Sequence, residues 1–170
     1  MAGRAPRPSA VGPSSLGADD RILIIEGRYY ETIANELLGG ALAELAALGV
    51  GHDVITVPGA LEIPQVLAQA AEADLISPVK RAKYCGVVVL GCVIRGETSH
   101  YDIVCNNANH WLMEIAIDEG IPVGNAILTV DTEAQAMARA EGGRDGKGGD
   151  AVRACARVIE IARGFRSQSE

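Results

Sequence analysis

The apolar positions of the chain follow two alternating rhythms. Residues 21–25, Arg-Ile-Leu-Ile-Ile, form an apolar run of the kind found in a strand buried on both faces. Ile33, Leu37, Leu38, Ala41, Leu42 and Leu45 then recur at helical spacing, which predicts a helix stopped by Gly49 and Gly51. Val54, Ile55 and Val57 predict a second strand over 52–57. Pro58-Gly59 reads as a turn, and 62–73 as a helix with Pro64 tolerated near its first turn. Residues 77–81 read as polar and exposed, whereas 84–94 are almost continuously apolar, as in a central parallel strand. A polar turn over 95–99 leads into a long helix over 100–119, with Val104, Ala108, Trp111, Leu112 and Ile115 on one side and Gly120 and Pro122 as breakers. Residues 123–130 predict a fourth strand, 133–140 a helix and 142–149 a glycine-rich bend. A closing helix over 151–162 turns Ala151, Cys155, Val158, Ile159 and Ala162 inward.

This βαβαβαβαα order predicts an α/β fold, a three-layer α/β/α sandwich around a four-stranded parallel sheet. Ligands of such sheets sit beyond the carboxyl ends of the strands, here residues 26–29, 58–62, 92–100 and the segment after Val130. Residues 1–19 are rich in Ala, Pro, Gly and Ser and are expected to form a flexible tail ahead of one domain spanning 20–170.

Composition narrows the function. With 170 residues, 48% of them apolar, the chain can bury a real core. A net charge of −7 argues against bulk nucleic-acid binding but leaves room for a local anion pocket. No secretory leader pattern and no apolar run of the ~18 residues a membrane span needs are present, so the cytoplasm is the default location. The four cysteines contain no CxxC pair and read as reduced, mostly buried thiols rather than a zinc site. Cys85 and Cys92, seven apart on one strand, are expected on opposite faces.

The strand-end segments hold the candidate chemistry. In residues 91–100, GCVIRGETSH, a buried strand delivers a polar turn onto a helix start, where free backbone N–H groups can hold a phosphate. Glu97 contributes there only through its backbone and Thr98 through its hydroxyl; the alternative is plain capping by Thr98 or Ser99. His100 suits proton transfer beside a bound anion, or serves as a helix-start surface residue. His110 lies about 280° further round the helix, so a His–His metal pair is not expected. Glu62 can accept hydrogen bonds from ligand hydroxyls or amines, or simply favour a helix N-terminus. Tyr29 and Tyr30 offer aromatic faces to a planar heterocycle, or pack at a helix start. Arg139 and Lys147 flank the glycine-rich bend as phosphate ligands or as solvated charges.

Taken together, these segments resemble the lumazine synthase family. Residues 57–64, VPGALEIP, are similar to its VPGAFEIP motif with Leu61 for Phe, and 91–100 to its GCVIRGETxH motif. Arg28-Tyr29 with 37–41, residues 122–129, 133–140 and Lys147-Gly148 resemble further segments, so the likeness runs from about Ile22 to Ala162. The resemblance implies a flavodoxin-like fold. It implies an enzyme that condenses 5-amino-6-(D-ribitylamino)uracil with 3,4-dihydroxy-2-butanone 4-phosphate, with no metal or organic cofactor. It also implies roles. Tyr29 stacks on the pyrimidine, and Ala60, Leu61 and Glu62 hold the uracil and ribityl chain. Cys92, Val93 and Ile94 line the ring pocket mainly through backbone. Glu97 and Thr98 bind phosphate, with Arg139 from the opposite side and Lys147 assisting. His100 moves protons. Asn125 stands where a neighbouring subunit's aromatic is usual, and Tyr30 where Asn is usual. Sites in the family lie between subunits, so the expected partners are further copies, as a pentamer or a pair of pentamers, with riboflavin synthase as a candidate partner. The rivals are a flavin- or nucleotide-binding flavodoxin-like module and a catalytically weak scaffold. The first is disfavoured by the loop after the first strand, which has one glycine and no Ser or Thr before Thr32.

Overall fold

A computed structural model describes residues 16–168. Four parallel strands, β1 (Arg21–Gly27), β2 (Gly51–Val57), β3 (Gly86–Ile94) and β4 (Val123–Val130), form one sheet in the order β2-β1-β3-β4. The helices are α1 (Glu31–Leu48), α2 (Ile63–Glu72), α3 (His100–Asp118), α4 (Glu133–Ala140) and α5 (Lys147–Ser167). Helices α1, α4 and α5 cover one face of the sheet, and α2 and α3 the other. This is the expected three-layer α/β/α sandwich.

Burial explains the central strands. Ile22, Leu23, Ile24 and Ile25 are at most 1% exposed. The pleat sends Ile22 and Ile24 into the core under α1 and α5, and Leu23 and Ile25 into the core under α2 and α3. Each such side chain contributes about 1.5–3 kcal/mol. On β3, Val88, Leu90 and Cys92 face the first core, and Val87, Val89 and Val93 the second. Helix α5 lies against the sheet because Gly124 has no Cβ; one built there would meet the Ala151 carbonyl oxygen at 1.9 Å.

Several expectations need correction. Cys85 precedes the paired part of β3, so strict alternation does not govern it. It donates through its backbone N–H to the Arg21 carbonyl and packs in the same core as Cys92. Trp111 is half exposed, because the buried stripe of α3 runs through Ala108, Leu112 and Ala116. Val158 is exposed on α5, with Val152 and Ala156 buried instead. The glycine-rich bend is shorter than expected, since α5 starts at Lys147 and runs to Ser167. Gly49, at φ 69°, ends α1 alone, while Gly51 begins β2. Of the expected tail, residues 1–15 lie outside the described residues. Leu16 is buried in the core, and Asp20 is paired with Arg163 of α5.

Candidate active site

The strand order places a topological switch between β1 and β3. The chain leaves β1 over one face of the sheet through α1 and leaves β3 over the other through α3, which opens a crevice beyond their carboxyl ends. A cleft of about 460 Å³ lies there. Tyr29 and Tyr30 line it after β1, Pro58 to Glu62 after β2, and Cys92 to Ile94 with Gly96, Thr98, His100, Tyr101 and Val104 at the passage from β3 to α3.

Each wall has a local support. Glu26, 3% exposed at the end of β1, accepts from Arg28 Nη1 at 3.0 Å and from the Thr56 hydroxyl at 2.9 Å, and Arg28 also donates to Asn35 of α1. The Arg28 backbone N–H donates to the Val57 carbonyl at 3.1 Å. These bonds hold the segment that carries Tyr29, which is 75% exposed and meets Tyr30 edge-on with ring centres 4.9 Å apart. In the next turn the Gly59 N–H donates to Glu62 Oε2 at 3.0 Å, leaving Oε1 outside that bond. The local capping role of Glu62 and its place on the cleft wall are therefore compatible.

Cys92 is not a nucleophile in this setting. Burial, with the neighbouring Cys105 thiol, pushes its pKa up to about 11, so it presents a neutral, nearly apolar surface. Burial likewise raises the Tyr30 phenol above its ordinary value. The 95–99 turn feeds α3 with an N-cap, Ser99, whose side chain makes no capping bond. The Thr98 hydroxyl accepts from the His100 N–H at a long 3.4 Å. This helix start therefore keeps donor capacity and the positive end of its dipole beside the cleft. Among the described residues no three His, Cys, Asp or Glu side chains gather as a metal set.

The structure thus brings Tyr29, Ala60, Leu61, Glu62, Cys92, Val93, Ile94, Thr98 and His100 to one cleft. Four expected residues lie off its lining. Glu97 is exposed on the turn. Arg139 is exposed on α4 and donates to the Gln135 carbonyl of its own helix at 2.8 Å. Lys147 pairs with Asp150 at 3.4 Å. Asn125, exposed on β4, donates to Asn109 at 2.8 Å and accepts from the Ile127 N–H at 2.8 Å. Tyr101 and Val104 line the cleft without having been singled out for it. Val104 stands one helical turn after His100, and that spacing is the signal that could have found it.

Comparison with known proteins agrees with this architecture. The family model described as 6,7-dimethyl-8-ribityllumazine synthase matches residues 19–163. A relative of that name from Azorhizobium caulinodans is 51% identical over 158 residues, covering 91% of this chain and 93% of its own. Another, from Methylobacterium radiotolerans, is 49% identical over 159 residues, covering 94% and 90%. A third, from Nitrobacter hamburgensis, is 48% identical over 143 residues, covering 84% and 86%. The chain belongs to the 6,7-dimethyl-8-ribityllumazine synthase family, enzymes of riboflavin biosynthesis that condense 5-amino-6-(D-ribitylamino)uracil with 3,4-dihydroxy-2-butanone 4-phosphate.

Proposed function

We propose that the condensation takes place in the cleft at the β1/β3 switch, within an oligomer in which a second copy completes each site. The observation that carries this is the convergence of three strand-end loops, with Tyr29, Glu62 and His100, on one crevice. The Tyr29 ring stacks on the pyrimidine. Glu62, with the backbone of Ala60 and Leu61, binds the uracil and ribityl groups, and Cys92, Val93 and Ile94 form the floor. The phosphate sits at the 95–99 turn, on Thr98 and the Glu97 backbone N–H. The 5-amino group attacks the ketone and water leaves as the imine forms. Phosphate is then eliminated, and the ribitylamino nitrogen closes the ring with loss of a second water. His100 moves protons in these steps. Bringing two bound molecules together in a reactive pose supplies most of the acceleration.

Arg139, Lys147 and Asn125, all off the cleft of their own chain, are assigned to the site of the adjacent copy. Exposed Ile103, Trp111 and Ile117 on α3 support association, since apolar groups gathered on one helix are a common interface signature. The assembly is a pentamer or a pair of pentamers in the cytoplasm, with riboflavin synthase as the protein that receives the product.

The test is steady-state turnover with both substrates, in the wild type and in His100→Ala. The variant is expected to lose about a hundredfold in rate, the low end of what a positioned proton-transfer group supplies, with pyrimidine affinity nearly intact. An unchanged rate would remove His100 from this role. Product formation by the wild type no faster than in buffer would favour the scaffold reading.

A further inference from the structure

The 95–99 turn is held by few contacts of its own. The Arg95 N–H donates to the Val130 carbonyl at 2.9 Å, and a Cβ built on Gly96 would meet nothing within 4 Å. The Arg95 side chain supplies the tethers. Its Nε donates to Asp131 Oδ1, just past β4, at 3.1 Å, and its Nη2 lies 3.5 Å from Asp102 Oδ1 in the first turn of α3. The guanidinium carbon sits 4.1 Å from the ring centre of Tyr101, the residue after His100. The charges matter as much as the geometry. Glu97, Asp102 and Asp131 place three carboxylates around the turn, and among the described residues no Lys or Arg lines the cleft. Uncompensated, they would repel an incoming phosphate. All three members of the Arg95 cluster are 46–65% exposed, and ion pairs that exposed contribute little to folding. The effect of the cluster is on the local field and on the start of α3.

We infer that Arg95 is a positioning residue for the phosphorylated substrate: its single positive charge, shared between Asp102 and Asp131, lowers their combined repulsion and, through Tyr101, fixes the helix start that presents His100. This rests on placing the phosphate at the 95–99 turn.

The test compares wild type, Arg95→Met, Arg95→Lys, Thr98→Ala and the double variant Arg95→Met/Asp102→Asn. Each substrate is varied in turn at low and high salt, with circular dichroism to verify folding. Arg95→Met is expected to raise KM for the butanone phosphate on the order of tenfold while moving the pyrimidine KM by less than about twofold. The defect should shrink in high salt. Arg95→Lys restores part of it, keeping the charge without the planar fork. Adding Asp102→Asn restores part by removing the exposed negative charge. An equal rise in both KM values, a salt-independent defect, or no recovery on adding Asp102→Asn would each overturn the inference. If Arg95→Met does not fold, Arg95→Lys carries the same KM comparison at smaller amplitude. Thr98→Ala separates the two levels. If it raises the butanone phosphate KM while Arg95→Met does not, only the role of Arg95 falls. If neither moves that KM, the phosphate placement falls.

Discussion

Gly27→Ala tests whether the approach of two site loops sets the geometry for chemistry. Gly27 ends β1 and faces Gly59 in the turn after β2. A Cβ on Gly27 would meet Gly59 C at 2.9 Å, O at 3.0 Å and Cα at 3.3 Å. All are backbone atoms, so no side chain can rotate away, and reaching ordinary contact at 3.4 Å requires the loops to separate by about 0.5 Å. That motion moves Glu62, bonded to the Gly59 N–H, relative to Tyr29. A 1 Å misplacement can cost about a hundredfold in rate, so half of it corresponds to about tenfold in kcat/KM. Overpacking should also cost about 1–3 kcal/mol of stability. The control is Gly59→Ala, whose Cβ would meet only Glu62 Oε2 at an ordinary 3.4 Å. The assays are kcat/KM with both substrates and thermal unfolding. Wild-type kcat/KM in Gly27→Ala, or equal losses in the two variants, would refute the claim that this contact spaces the loops.

Neighbouring glycines of α1 should respond with opposite signs, read by urea unfolding. Gly39→Ala, with nothing within 4 Å, gains about 0.5–1 kcal/mol, whereas Gly40→Ala, 2.5 Å from the Gly143 carbonyl oxygen, loses about 1–3 kcal/mol. Glu44 is 3% exposed and accepts from Arg144 Nε and Arg153 Nη1, each at 2.8 Å. Glu44→Ala should cost about 2 kcal/mol in the same assay, below a fully buried pair because both guanidiniums can turn to water. Burial pushes the thiols of Cys85 and Cys92 up to about 11 and that of Cys155 to about 12. At pH 8 roughly one in a thousand or fewer is thiolate, so peptide mapping after brief iodoacetamide treatment of the folded chain should find all three unmodified.

What could be read from the chain depended on how local the signal was. The bounds of β4 and α4 emerge at the expected residues because Pro122 and Thr132 mark them on the spot, the Thr132 hydroxyl accepting from the Gln135 N–H at 3.2 Å. The start of α5 was hidden because Gly148 and Gly149 look like helix breakers. They are helical glycines for a tertiary reason: a Cβ would lie 2.0 Å from the Leu37 carbonyl oxygen in one case and 2.2 Å from that of Arg144 in the other. The burial of Glu44 was equally illegible, since its partners stand 100 and 109 residues away. Trp111 and Val158 sit at the flanks of apolar stripes, and which flank is buried depends on neighbours that periodicity does not reveal. Cleft residues were easier to place, because a doubly wound sheet gathers its strand-end loops whatever their sequence.

The division of the proposed site between copies has a quantitative signature. Tyr29 and His100 are exposed, and among the described residues of one chain no guanidinium lines the cleft. In a ring of head-to-tail contacts, each site would take His100 from one copy and Arg139 from the next. His100→Ala and Arg139→Ala chains would each assemble into nearly inactive rings. Unfolded together in equal amounts and reassembled, they form boundaries at random. A site then receives an intact His100 with probability one half and an intact Arg139 with probability one half, so about a quarter of the sites are whole. Turnover should therefore recover to about a quarter of wild type, far above either parent alone. If both residues served the site of their own chain, every site would carry one of the two lesions and mixing would restore nothing. That outcome would move Arg139 out of the adjacent copy's site and leave the open cleft to be completed by some other group.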